Sequence, residues 1–196
     1  MPNKGKDITK LPRAAPELLK LEGKAREVQG DTLKTYILLR YIGFHPRVIF
    51  PFDYSDDIKI KEYNLHEGLD DNKREIFIWD RPKKRGAKAY TTAPRHPSID
   101  FDVEKFIREV RGRKSKYKRS TAYGNRLIRE LGEDIGIFNL SPLSLRHTLA
   151  VELYKGGMPL PVICDTLNMS PTTARTYIRF APEDRHNAYD KAMGLV

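Results

Sequence analysis

Cysteine is nearly missing from this chain of 196 residues, where Cys164 stands alone. A single thiol cannot close an internal disulfide and cannot assemble a zinc site. Its apolar neighbours Val162 and Ile163 mark it as a core residue rather than a reactive thiol. Long hydrophobic runs are missing too. Nothing approaches the roughly 18 apolar residues that span a bilayer, and no apolar h-region follows the polar start Met1–Lys10. The chain therefore reads as soluble and cytoplasmic, with no membrane partner. No internal repeat is visible. Acidic residues are in deficit: 26 Asp and Glu face 36 Lys and Arg, for a net charge of +10.

The basic excess is concentrated. One cluster holds Arg81, Lys83, Lys84, Arg85 and Lys88, and another holds Arg111, Arg113, Lys114, Lys116, Lys118 and Arg119. Clusters of this kind are the electrostatic footprint of a nucleic-acid binder. Tyr117, set inside the second run, suits a loop lying along a phosphate backbone.

Residues 1–14 read as a basic, flexible arm and 15–196 as one domain. Helices are predicted at Pro16–Arg26 and then from Asp31, taken as an N-cap, through the apolar stretch ending at Gly43. Pro46 fits the first turn of a short helix. Strands follow at Ile58–Lys61, Ile76–Trp79 and Lys88–Thr92, with a polar loop containing Gly68 after the first and a basic turn at Lys83–Gly86 before the third. Beyond Pro97 the pattern is helical, at about 102–112, 120–131, 142–155, 159–167, 171–179 and 182–193. Pro142, Pro171 and Pro182 each stand at a helix start. The expected fold class is α+β: a mostly helical body with a small three-stranded antiparallel sheet.

The last third carries the chemistry. Arg146-His147-Thr148 precedes a Gly156-Gly157 break, a short apolar helix and a Pro-started helix bearing Tyr177. A guanidinium fork that grips phosphate, near a phenol that can act as an oxygen nucleophile, is what phosphoryl transfer on DNA requires. The order SPLSLRHTLAVELYKGG, LPVICDTLNMS, TARTYIRFAPEDRHNAY resembles the C-terminal box of the tyrosine recombinases (phage-type integrases). Ile42-Gly43-Phe44-His45-Pro46 and Tyr54-Ser55-Asp56 resemble that family's first arginine turn and the segment ahead of its first strand.

The resemblance implies a catalytic domain that cleaves and rejoins DNA. Tyr177 would form a 3′-phosphotyrosyl link, Arg146 would clamp the phosphate, and Lys84 would protonate the leaving oxygen, with Lys83 and Lys88 as competitors. His45 or Arg47 would stand for the family's first arginine, His45 as a weak cation near neutral pH. Lys83, Arg85, Lys88, Arg113, Lys114, Lys116, Lys118, Arg119, His147 and Arg175 are the expected DNA contacts, and Thr148 a back-bonded helical threonine. No metal or other cofactor is implied. The partner is double-stranded DNA, with a free monomer assembling into a tetramer on it. The setting would be a prokaryotic cell or its mobile element, and the family's N-terminal core-binding domain is not expected in this chain.

Three positions depart from the family pattern. Leu143 stands where the pattern has a histidine, Met169 or Asn168 where it has a histidine or tryptophan, and His45 where it has arginine. These departures support an alternative, a catalytically weakened DNA-binding regulator on the same fold. Leu160–Tyr177 would then act as a helix-turn-helix, with Thr172, Thr173 and Arg175 as readers. Relaxation of supercoils by the same phosphotyrosyl chemistry is a further possibility of the resemblance.

Overall fold

The computed structural model describes residues 13–52, 65–80 and 90–178. Outside them lie residues 1–12 of the arm, Tyr54-Ser55-Asp56, the strand expected at Ile58–Lys61, the basic turn with Lys83, Lys84, Arg85 and Lys88, and the helix expected at 182–193. Among the described residues the chain forms eight α-helices and one three-stranded antiparallel sheet, the architecture its patterning predicts.

Helix α1 (Ala15–Val28) carries Pro16 in its first turn, with the Glu17 carboxylate accepting from the Ala14 N–H. It buries Leu18, Leu21 and Ala25, one stripe at helical spacing. Gln29 and Gly30 both take positive φ and break it from α2 (Gly30–Ile37). Asp31 is therefore not the N-cap. It lies one residue inside α2, where its carboxylate accepts from Arg113 at 2.7 Å and from the Tyr123 hydroxyl at 2.9 Å. Spacing alone cannot distinguish a capping carboxylate from one recruited by residues far along the chain.

Helix α2 runs into a π-helical turn, Leu38–Ile42, and almost every apolar side chain of this stretch is buried. Each such Leu, Ile or Phe contributes about 1.5–3 kcal/mol by leaving water. The stretch is the axis of the core. Gly43 closes it in the left-handed conformation (φ 70°), and Phe44 then turns inward edge-on to Phe77 and Trp79. Helix α3 (Pro46–Ile49) follows at once, with Pro46 in its first turn.

The sheet runs in the order β1 (Leu65–Leu69), β2 (Glu75–Asp80), β3 (Tyr90–Pro94). Leu65 pairs with Trp79 and Phe77 with Ala93, so Phe77, Trp79, Thr91 and Ala93 share the buried face. The polar stretch around Gly68, read as a loop, is strand β1. Its Leu-His-Glu-Gly-Leu sequence gives little alternation, and pairing with β2 decides its conformation rather than propensity.

Helices α4 (Val103–Gly112), α5 (Thr121–Glu133) and α6 (Pro142–Lys155) complete the body. The basic run between α4 and α5 is not an open loop. Tyr117–Arg119 forms a 3-10 turn, Tyr117 packs edge-on to Tyr123, and Arg113 folds back onto Asp31. Helices α7 (Leu160–Thr166) and α8 (Pro171–Ile178) pack on α6 around a second, smaller apolar cluster of Ala150, Ile163 and Leu167. The Thr91 hydroxyl donates to the Asp165 carbonyl at 2.5 Å and ties β3 to α7.

Gly43 is the tightest joint between the two clusters. A Cβ there would overlap the Leu167 side chain and come within 2.9 Å of Leu149, on a backbone that L-residues avoid. Gly43→Ala is expected to cost about 2–4 kcal/mol, combining left-handed strain with overpacking, in urea unfolding of the purified protein. A loss under 1 kcal/mol, about the size of an exposed glycine change, would contradict this packing.

Candidate active site

Helix α6 is built to hold its middle turn still. The Ser141 hydroxyl caps the Ser144 N–H at 3.2 Å, the Ser144 hydroxyl accepts from the Ser141 N–H at 3.1 Å, and Pro142 fills the first turn. Leu145, Arg146, His147 and Thr148 are then buried in succession, Arg146 at 4% exposure. A guanidinium so enclosed must be partnered. Its Nη1 donates to the Gly43 carbonyl at the end of the π turn. Arg40, inside that turn, makes a bidentate pair with Glu152 of α6 at 2.6 and 2.8 Å. Two arginine contacts of opposite direction thus fasten the π turn and α6 together.

His45 caps α3 two residues past Gly43. Its Nδ1 accepts from the Arg47 N–H at 3.2 Å, which leaves the ring proton on Nε2. Burial, and then the positive charges of Arg146 and Arg47, push its pKa down to about 4. The expectation of a weak cation here is corrected: burial beside the Arg146 and Arg47 guanidinia keeps the imidazole neutral at pH 7. Arg47 is exposed at the start of α3.

Tyr177 is half-buried near the end of α8, and its ring lies on the ring of His147 with centroids 3.5 Å apart and planes 19° apart. Thr148 donates to the Ser144 carbonyl at 2.8 Å, the back-bonded state its helical position predicts, and accepts from the Arg13 N–H at 2.8 Å. The Arg13 guanidinium reaches the carbonyls of Phe138 and Asn139 at 3.3 and 2.6 Å. The turn before α6 is thereby fixed as well.

The departing positions have structural occupations. Leu143 lines a surface groove of about 380 Å³ with Asn125, Arg129 and Phe138. Asn168 takes a positive φ at the end of α7, and Met169 packs into the apolar cluster of α6 and α7. Of the expected DNA contacts, Lys114, Lys116, Lys118 and Arg175 are exposed, while His147 is buried at 4% exposure. Arg113 is paired with Asp31, and the Arg119 guanidinium sits over Phe52 and donates to the Arg111 carbonyl at 3.4 Å. Thr172 is exposed, and Thr173 shares a hydrogen bond with Ser170 at 2.8 Å. Among the described residues no His, Cys, Asp and Glu group is placed to hold a metal ion, and no helix is long and apolar enough to cross a membrane.

Sequence reading did not anticipate the Gly43 carbonyl, the Arg40–Glu152 pair or the face-to-face contact of His147 with Tyr177. Each joins residues distant in the chain, and no local spacing announces it.

No family model and no curated protein matches this chain. Solved structures do. The XerA recombinase superposes with a TM-score of 0.57 at 18% identity, over 93% of this chain and 65% of its own. The XerH site-specific recombinase bound to its palindromic difH substrate, in a post-cleavage complex, gives 0.59 at 18% identity, over 93% and 53%. The Tn1549 transposon integrase in complex with transposon right end DNA gives 0.54 at 14% identity, over 94% and 66%. The chain thus spans 53–66% of the length of these three proteins. It has the tyrosine recombinase catalytic-domain fold.

The His45 imidazole offers a direct check on the site's electrostatics. Its folded pKa lies below the ordinary 6.5, so between about pH 6.5 and 4 the unfolded chain binds the extra proton. Stability is expected to fall as pH drops through that window, and less so in His45→Asn. An NMR titration placing the His45 midpoint near 6.5 would show the ring to be solvated and uninfluenced by Arg146.

Proposed function

We propose that this chain is a DNA strand-exchange enzyme of the integrase type, cutting and rejoining double-stranded DNA through Tyr177. One observation carries the reading: Arg146 and the ring that receives Tyr177 are successive residues of one capped helix. A phosphate held by Arg146 would lie near the phenol, within a fold whose neighbours include recombinases bound to DNA.

The chemistry follows from those groups. The Tyr177 oxygen attacks the scissile phosphorus, a tyrosyl P–O bond forms, and the bond to the 5′ oxygen breaks. The DNA 3′ end is left esterified to tyrosine, the phenol proton passes to solvent or a nearby base, and the departing 5′ oxygen gains a proton. Lys84 is our candidate for supplying it. The ester conserves the energy of the broken bond, so the reverse attack by a 5′ hydroxyl rejoins a strand without a nucleotide cofactor. Arg146 places a permanent charge where negative charge grows on the non-bridging oxygens. His45 adds a neutral Nε2–H donor in place of a second cation. Exposed Lys114, Lys116 and Lys118 lie along the backbone of the duplex, and recombination between two sites would require a tetramer.

A second reading has specific support. Leu143 lines a surface groove and Met169 packs into an apolar cluster, and neither side chain can move a proton. If proton transfer has been lost with them, the same surface would bind DNA as a regulator without cutting it.

The two are separated by a duplex site selected from a random library and nicked beside the crossover to trap the intermediate. The enzyme reading expects a covalent protein–DNA adduct, absent in Tyr177→Phe and formed about 10²–10³-fold more slowly in Arg146→Lys. Tight binding with no adduct would decide for the regulator. Under either reading, replacing Lys114, Lys116 and Lys118 by alanine is expected to lower the slope of log affinity against log salt by about 3, and an unchanged slope would remove that turn from the interface.

A further inference from the structure

Helix α8 is a weak platform for a nucleophile. Among its described residues, Pro171–Ile178, Ala174 is the one buried side chain, and Tyr177 is half-buried. A tyrosine there turns about two torsions and sweeps its oxygen through a wide arc. In-line attack accepts little of that arc, and a displacement of about 1 Å costs on the order of 10² in rate. Something outside α8 must restrict the ring.

His147 is in contact with that ring. It is buried at 4% exposure in the middle of α6, the helix fixed by the Ser141 cap, by Arg13 on Thr148 and by the Arg40–Glu152 pair. Its ring covers that of Tyr177 almost face to face. The orientation decides what the imidazole does. Its nitrogens carry their N–H and lone pair in the ring plane, which runs nearly parallel to the phenol. A ring lying flat on the phenol suits a support rather than a proton relay. Arg146 precedes it, about 100° round the same helix. One peptide link therefore sets the phosphate clamp relative to the platform under the nucleophile.

We propose that His147 is a positioning residue for Tyr177, its stacked ring fixing the direction of the attacking oxygen. The inference rests on Tyr177 being the nucleophile. It assigns the buried histidine to the alignment of the protein's own side chain rather than to DNA contact.

The test compares the wild-type chain, His147→Ala and His147→Phe in single-turnover adduct formation on the nicked site. His147→Ala should slow cleavage about 10²-fold with DNA affinity unchanged. His147→Phe should recover most of that loss, with the pH profile of the wild type, because a flat ring suffices. A phenylalanine variant as slow as the alanine variant, or an alanine variant as fast as the wild type, overturns the proposal. Ring NMR of the ¹³C-tyrosine-labelled protein gives a readout free of catalysis and of variant folding. The Tyr177 signal, assigned by its loss in Tyr177→Phe, should be shifted upfield by the stacked imidazole in the wild type. It should return toward the ordinary position in His147→Ala. An unshifted wild-type signal refutes the stack whether or not DNA is cut. A shifted signal without any wild-type adduct instead defeats the strand-cutting reading, and the positioning role with it.

Discussion

A guanidinium buried to 4% exposure must give its protons to something, and at Arg146 one acceptor is the Gly43 carbonyl. Much of the surrounding structure depends on that requirement. The carbonyl is available because the π turn ends in a left-handed residue, and the residue is glycine because Leu167 and Leu149 close over it. Leu167 is the C-cap of α7, so the glycine that orients the arginine also seats the helix ahead of α8. A π turn inserts an extra residue into a helix and is often retained where function needs it. Here it brings a backbone acceptor to the arginine while Arg40 of the same turn grips Glu152.

The electrostatics follow from the same enclosure. Arg146 and Arg47 raise the local potential, and burial adds to the cost of charging His45, so the ring is neutral at physiological pH. The site therefore holds a neutral imidazole near the Arg146 and Arg47 guanidinia. An arginine at position 45 would place a third guanidinium beside two others. The histidine gives hydrogen bonding without that repulsion, and its cap on α3 keeps it oriented.

Much of the fold was legible because its punctuation is local. Pro46, Pro142 and Pro171 each sit in the first turn of a helix, and Gly43 ends one. The alternating Ile76–Trp79 lies within strand β2. The errors came where distant residues decide. Asp31 resembles a cap until Arg113 and Tyr123 claim it, and the Gly68 stretch has loop composition but pairs with a strong neighbour. In the site, the order of Arg146 and Tyr177 could be read from the sequence. The neutrality of His45 and the support under Tyr177 could not, since both arise from packing between helices that spacing does not encode.

The attachment of Arg13 to α6 gives the chain a mechanical property. Its amide holds Thr148, and its side chain holds the carbonyls of Phe138 and Asn139, on the two sides of the Ser141 cap. Any load on Arg13 is therefore delivered across the first turns of α6, one residue from His147 and two from Arg146. Arg13, two residues ahead of α1, thus couples the entry to that helix to the capped end of α6.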